Sequence, residues 1–350
     1  MSKQSDYLTL KLSTLMDIRH FIGIDVSKNT LDWAVYTNKG IVWQTQSENS
    51  PTAIRAVIKQ LQALPDFGRS TCVVCMEHTG LYNAHALDVF FQAQLPIWLE
   101  ASLHIKQAGG LQRGKSDSID AQRIAEYAYR FQDRTRLWKP ARPVMKKLAE
   151  FTRLRQRLQG MISQLKVPLA EQKRFGDKAL TTQLGQHCSS SLKALLSDLK
   201  GVEKAIKQLI ADDPTLKALF ELVTSIPGVG QVVATELILA SDEFKAIDDP
   251  KKLACHAGVA PFEHSSGSSV RGKTRVNHHA RKSLKTLLHM AAMSALQMPG
   301  ELQEYYQRKV KEGKNKMLVI NALRNKLIHR VYAVVKRGKK YNKNYTPTLV

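Results

Sequence analysis

The chain predicts an α/β fold with a mixed sheet over residues 20–140 and a mostly helical fold beyond them. Three observations carry that prediction. Short apolar runs that end in a carboxylate, such as His20-Phe21-Ile22-Gly23-Ile24-Asp25, alternate with amphipathic stretches in the first part. From Val144 onward, apolar residues return every three or four positions, the period of a helix stripe. Between the two lie Trp138-Lys139-Pro140 and Arg142-Pro143, where proline ends helices and extends the residue before it.

The anchor is the run from His20 to Lys28, a buried strand with Asp25 at its far end. A carboxylate there must be solvated, paired or metal-bound, because an isolated buried one costs several kcal/mol or more. Leu31–Thr37 and Ile41–Gln46 flank Asn38-Lys39-Gly40, a hairpin signal, so the first three strands form an antiparallel meander. Ser50-Pro51 opens a helix with Ile54, Val57, Ile58 and Leu61 on one face. Thr71–Glu77 is a fourth strand, a helix follows over Tyr82–Gln94, and Pro96–Glu100 is a fifth strand. Crossovers of this kind set the later strands parallel to an earlier one and gather site residues at their carboxyl ends. Asp25 and Glu77 occupy such ends. Adjacent strands lie roughly 5 Å apart, within reach of one shared cation.

A further helix opens in Gly114-Lys115-Ser116-Asp117-Ser118-Ile119-Asp120, with Ile119, Ile124 and Ala128 as its apolar positions. Asp117 and Asp120, three apart, share a face. On one reading they complement the helix start, worth roughly 0.3–1 kcal/mol each. On the other they join Asp25 and Glu77 in an all-oxygen pocket for Mg²⁺, which assists attack at a phosphate.

Lys and Arg number 53 against 30 Asp and Glu, a formal charge of +23 that fits a polyanionic partner. No apolar run approaches the ~20 residues that span a bilayer, and Met1–Asp17 lacks the apolar core of a signal peptide. Nucleic acid, not a membrane, is the expected partner. Cys72 and Cys75 have CxxC spacing but lie within a strand, where positions three apart face opposite sides, so they read as core residues in a reducing cytoplasm.

In the second part, Met145, Leu148, Phe151, Leu154 and Leu158 start one apolar stripe and Leu192, Leu195, Leu199, Val202 and Ile206 another. They predict an antiparallel coiled coil whose helices are joined by roughly Val167–His187. Helix, Ile226-Pro227-Gly228-Val229-Gly230, helix is a helix–hairpin–helix pattern, in which Gly228 and Gly230 would let the backbone meet a phosphate. Next comes a Ser- and Gly-rich loop, Glu263-His264-Ser265-Ser266-Gly267-Ser268-Ser269, beside the basic residues Arg271, Lys273, Arg275, Arg281 and Lys282. With Lys115, these are the candidate nucleic-acid contacts. Serine there is ordinary turn chemistry or, beside clustered cations, a nucleophile.

The order of elements and the acids Asp25, Glu77, Asp117 and Asp120 resemble the RuvC-like catalytic domain of the ribonuclease-H fold. The wording GIDVSK, MEHTG and SDSIDAQRIA is similar to the DEDD transposases of the insertion sequence 110 family, most like its 1111 subgroup and related to the Piv DNA invertases. The run AGVAPFEHSSGSS resembles that family's second catalytic domain, in which one serine becomes covalently joined to DNA. Ser266, just before Gly267, matches the nucleophile, with Ser265 as the fallback. The resemblance implies a transposase or site-specific recombinase of a mobile element, working through a phosphoserine intermediate with Mg²⁺ on the four acids. It further implies donor and target duplex DNA, a structured bridge RNA that pairs with both, a homo-oligomer between dimer and tetramer, and a cytoplasmic, nucleoid-associated location. The divisions expected are an extension at 1–19, the catalytic domain at 20–140, the coiled coil at 141–213, the serine domain at 214–335 and a flexible basic tail at 336–350. The rival expectation is a metal-dependent nuclease, such as a junction resolvase, that uses the four carboxylates alone.

Overall fold

The structure is a computed structural model that describes residues 17–110, 117–266, 270–276 and 280–342, with only the backbone path given for 263–266 and 270–275. The chain divides into two compact units, Met1–Pro140 and Ala141–Val350.

In the first unit, β1 (His20–Val26), β2 (Thr30–Thr37) and β3 (Gly40–Glu48) form the antiparallel meander, turning at Asn38-Lys39. β4 (Cys72–Glu77) joins the free side of β1 in parallel, and β5 (Ile97–Glu100) joins β4 in parallel. The crossovers run through α1 (Pro51–Leu61) and α2 (Ala84–Gln92), giving the order β3-β2-β1-β4-β5. Three antiparallel strands extended by two parallel ones make this a ribonuclease-H-like, RuvC-like mixed sheet. Ser50 caps α1 by accepting from the Ala53 amide, Pro51 takes the first turn, and Ile54, Val57, Ile58 and Leu61 are buried.

Strand alternation assigns the two faces. Ile22, Ile24 and Val26 pack with Leu31, Trp33 and Val35 under α1 and α2. Phe21, Gly23 and Asp25 turn the other way, toward α4 (Asp117–Arg130); the short α3 (Ser102–Ala108) precedes it. Cys72 lies in the first core and Cys75 in the second, both buried, and burial pushes the Cys72 thiol up to about 12. Neither is available as a thiolate ligand.

The second unit opens with two long antiparallel helices, α5 (Pro143–Phe175) and α6 (Lys178–Asp212). The join is far shorter than the stretch Val167–His187 expected from the fading apolar stripe. Both helices continue to Gly176-Asp177, where the Asp177 carboxylate accepts from the Leu180 amide. This end of the hairpin is exposed, so it needs no buried stripe. Pro168 removes one backbone bond, but Leu169, Ala170, Glu171, Gln172 and Lys173 are helix formers that carry α5 onward.

α7 (Pro214–Thr224), α8 (Gln231–Ser241), α9 (Pro250–His256), α10 (Lys282–Leu296), α11 (Glu301–Lys311) and α12 (Lys316–Arg337) build the remaining core around Leu237, Leu253, Leu284, Leu288, Leu323 and Leu327. The coiled-coil base is sewn into the same unit by Arg142, whose guanidinium donates to Asp213 at 2.7 Å and to the buried Glu243. The segment expected as a loose basic tail begins inside α12, which runs through Lys336 and Arg337, and the Tyr341 amide then bonds the Ser225 hydroxyl at 2.8 Å. The apolar face of Val331 and Val334 carries the helix past the point where the charge pattern suggested an end. Among the described residues no helix is long and apolar enough to cross a membrane.

Candidate active site

β1 and β4 are in parallel register with Ile24 opposite Met76, so Asp25 and Glu77, one residue further on each strand, lie level with one another. α4 reaches this edge because Gly23 has no side chain. A Cβ at Gly23 would stand 2.2 Å from the Ala125 amide nitrogen and 2.3 Å from the Ala121 carbonyl oxygen. Backbone is thus laid on backbone, and Asp25, two residues on and on the same face, comes up against the first turn of α4 with Asp117 and Asp120.

Three of the four acids of the sequence reading therefore bear on the fourth, Asp25. Asp25 is pushed up to about 6, first by burial and then by the negative charges of Asp120, Asp117, Glu77 and Asp32. Asp120 is the one of the four with a cationic partner among the described residues, Arg123 at 2.8 Å. Among those residues no three acid, imidazole or thiol groups are already gathered as a cation cage. The acids are near enough to repel and not drawn in to ligating spacing. The donor set fits a hard divalent cation: every member is a carboxylate, and Asp25 carries repulsion that such an ion would offset.

Two further acids flank the group. Asp32 pairs directly with Asp25 across β1 and β2, is 6% exposed, and takes the Gln46 side-chain amide at 3.1 and 3.3 Å. Burial raises its carboxyl although the Gln46 bond opposes this. Its signal in the sequence is the alternation Asp32, Ala34, Tyr36, the residues of β2 on the α4 side. Glu100 lies opposite Glu77 in β5, but its oxygens are saturated by the Trp98 indole (3.1 Å), the Ala101 amide (2.8 Å), His104 (2.8 Å) and Tyr127 (3.3 Å). Glu100 braces the edge, while Asp25 is left with its charge.

In the second unit, Glu263–Ser266 of the Ser-rich stretch are strand and not the expected loop, while Gly267, Ser268 and Ser269 lie outside the described residues. β6 (Pro261–Ser266) pairs antiparallel with β7 (Val270–Val276), with Ser265 opposite Arg271 and Ser266 opposite Val270. Ser266 is thus the last residue of β6, a position that serine and glycine composition alone conceals. Lys115 lies outside the described residues, and Arg271, Lys273 and Arg275 are placed by backbone only, along β7.

Two expected nucleic-acid contacts have other work. Gly228 adopts φ +86°, and a Cβ there would meet the Ala291 carbonyl oxygen at 2.5 Å and the Ala295 side chain at 2.7 Å. Its bareness serves the packing of α10, whereas Gly230, at the start of α8, has open space around it. Arg281 donates at 2.7 Å to Glu236, which is 1% exposed and also receives the Gln156 amide. Buried carboxylates demand such partners, so Arg281 is committed inward; Lys282 is exposed.

A family model of IS110 DEDD transposases, described as "Transposase", matches residues 22–172. A second, described as "Transposase IS116/IS110/IS902 family", matches residues 220–307. The chain is 26% identical over 332 residues to the pilin gene-inverting protein of Moraxella bovis, an alignment covering 92% of this chain and 98% of that protein. Its counterpart in Moraxella lacunata is also 26% identical, with the same coverage. A 44.8 kDa protein of the insertion element IS116 from Streptomyces clavuligerus is 30% identical over 132 residues, 38% of this chain and 32% of that one. Among solved structures, T. thermophilus RuvC in complex with a Holliday junction substrate superposes with a TM-score of 0.26 at 16% identity, covering 34% of this chain and 99% of RuvC. One matched segment contains Asp25, Glu77, Asp117 and Asp120 and the other contains the serine hairpin; the chain belongs to the IS116/IS110/IS902 transposase family and is a DNA transposase or recombinase enzyme.

Proposed function

We propose that the protein cuts and rejoins DNA by joining a strand covalently to Ser266, with the carboxylates of the first unit acting on the same phosphodiester. The observation that carries this reading is the shared electrostatics of Asp25, Asp117, Asp120 and Glu77 at one sheet edge, in a chain of this family. Asp25 and Glu77 from the strand ends and Asp117 and Asp120 from α4 would hold Mg²⁺. When bound, the ion polarises a phosphate oxygen and offsets charge that develops in the transition state. The Ser266 hydroxyl forms the new ester bond to phosphorus as the 3′ or 5′ oxygen of the broken strand leaves with a proton. A second DNA hydroxyl reverses the exchange and frees the serine. The cations of β7 (Arg271, Lys273 and Arg275) and the exposed Lys282 hold backbone phosphates.

Acids on one unit and nucleophile on the other suit a site composed from two subunits, hence a dimer or tetramer holding donor and target duplexes. A bridge RNA supplies sequence reading by base pairing, and the α5–α6 hairpin, with its basic exposed face, is the surface proposed to carry it.

Denaturing gels of protein incubated with donor DNA, target DNA and the element's flanking RNA test the reading. It predicts a slow-migrating covalent species that is lost in both Ser266→Ala and Asp25→Ala. The convergence of acids on a RuvC-like sheet equally favours a second reading, a carboxylate-only nuclease. That reading predicts Mg²⁺-dependent cutting that survives Ser266→Ala with no adduct.

A further inference from the structure

We propose that Arg324 forms the floor of a binding site for a DNA backbone phosphate, beside the root of the serine hairpin. Arg324 sits mid-way along α12, 7% exposed, and among the described residues no carboxylate accompanies it. Its contacts are neutral: Nη2 to His289 Nδ1 at 2.8 Å and to Met317 Sδ at 3.5 Å, and Nη1 to Asn321 Oδ1 at 3.4 Å. Nε, buried, has no hydrogen-bond partner among the described residues. Other shielded arginines among the described residues of the unit meet an acid: Arg330, its side chain 16% exposed, has Glu301, and Arg155, 20% exposed, has Glu203.

A buried guanidinium held only by neutral acceptors carries an unpaid desolvation cost, which an arriving anion would offset. The flanking groups are fit for that anion. His289 uses Nδ1 as an acceptor toward Nη2, which leaves the ring neutral, and burial and Arg324 both favour this by lowering its pKa. Among the described residues no negative group therefore competes for the charge. The Arg324 pKa itself is lowered by burial, and a guanidinium stays protonated regardless.

Place identifies the ligand class. Asn321, one turn before Arg324, donates from Nδ2 to the Val259 carbonyl at 2.9 Å, and Val259 is two residues ahead of β6. The same short span of α12 thus holds the residue two ahead of the strand that ends at Ser266 and carries a guanidinium that meets no acid among the described residues. In a chain of net charge +23 that handles DNA, the anion that can arrive there is a strand phosphate. Planar guanidinium donors suit phosphate oxygens. The choice of DNA over RNA rests on the function proposed above; the phosphate site itself does not.

The test uses the full chain, with Arg324→Met and Ser266→Ala. Thermal unfolding is compared in inorganic phosphate and in chloride of equal ionic strength, and DNA and RNA binding are measured across a salt series. The site predicts that phosphate raises the midpoint of wild type and Ser266→Ala but not of Arg324→Met, which in chloride is as stable as wild type or more so. It also predicts that the salt slope for duplex DNA falls by about one in Arg324→Met. A drop in the chloride midpoint with DNA affinity and slope unchanged would make Arg324 a packing residue and overturn the site. Loss confined to RNA overturns the DNA assignment. Should Arg324→Met fail to fold, Arg324→Lys decides: weaker phosphate stabilisation than wild type supports the site, and equal stabilisation ends it. Because Ser266→Ala keeps the phosphate response, failure of the serine chemistry and failure of this site are read separately.

Discussion

Replacing Asp25 by asparagine should stabilise the metal-free protein while removing its activity. The carboxyl titrates at about 6 against an ordinary 3.8, so charging it in the folded chain costs more than in the unfolded one. At 1.36 kcal/mol per pH unit that difference is roughly 3 kcal/mol, and partial solvent access reduces it to about 1.5 kcal/mol. The sign is fixed by protons. Between pH 3.8 and about 6 the folded state holds more of them than the unfolded state, so stability declines as pH rises through this window. The penalty is absent below it and complete above it. In EDTA at pH 7.5, Asp25→Asn should unfold about 3–6 °C above wild type, taking ~2–4 °C per kcal/mol for a unit of this size. At pH 3.5 the two should coincide. Added Mg²⁺ should raise wild type and narrow the gap, because an ion bound only by the folded state stabilises by mass action. A variant no more stable than wild type in EDTA, or a gain that persists at pH 3.5, would refute the reasoning that the acids converge on Asp25.

Other outcomes follow from the same geometry. Gly23→Ala drives a methyl into the α4 backbone and should cost about 3 kcal/mol in chemical denaturation, with DNA cleavage lost as Asp117 and Asp120 move away. Arg142→Ala leaves the buried Glu243 with Lys245 as its one remaining cation among the described residues and should cost about 2 kcal/mol. Arg142 bonds hold the Asp213 carboxyl below its ordinary range; in Glu243 burial pushes up, and the Arg142 and Lys245 bonds outweigh it. Both therefore add stability at neutral pH that is lost as pH falls through the acid range, and Arg142→Ala should flatten that acid limb. Arg281→Met should lower the denaturation midpoint by about 2–3 kcal/mol equivalent, since Glu236 loses its cation. Lys282→Ala, on the exposed side, should instead weaken DNA binding in a salt-dependent way at little cost in stability.

The first unit was legible because its signals are local and repeated. Ser50-Pro51 starts α1 as its cap chemistry requires, and alternation in His20–Val26 assigns Ile22 and Ile24 to one core and Asp25 to the other face. Glu100 met the same criterion as Glu77, a carboxylate closing a parallel strand, but only side-chain geometry shows that four donors occupy it. Alternation along β2 puts Asp32 on the α4 face, but its place directly beside Asp25 depends on the hairpin register, which Leu-Asp-Trp-Ala-Val does not carry. The serine hairpin defeated composition: Ser265 and Ser266 are turn formers by type, and their strand character comes from pairing with Arg271 and Val270. Gly228 and Arg281 matched phosphate contacts by type, yet long-range partners, Ala291 and Glu236, claim them. Arg324 gave no sign among 53 basic residues, because burial without a counter-ion is a property of packing.

The carboxylates and the serine must serve one phosphodiester, and the adduct shows whether they do. Protein reacted with DNA and Mg²⁺, nuclease-trimmed and digested with trypsin, should yield the peptide Leu253–Arg271 carrying a nucleotide remnant. Fragmentation should place that remnant on Ser266, and the species should vanish in Asp25→Ala. DNA cut in the same reaction while Leu253–Arg271 stays unmodified would contradict it.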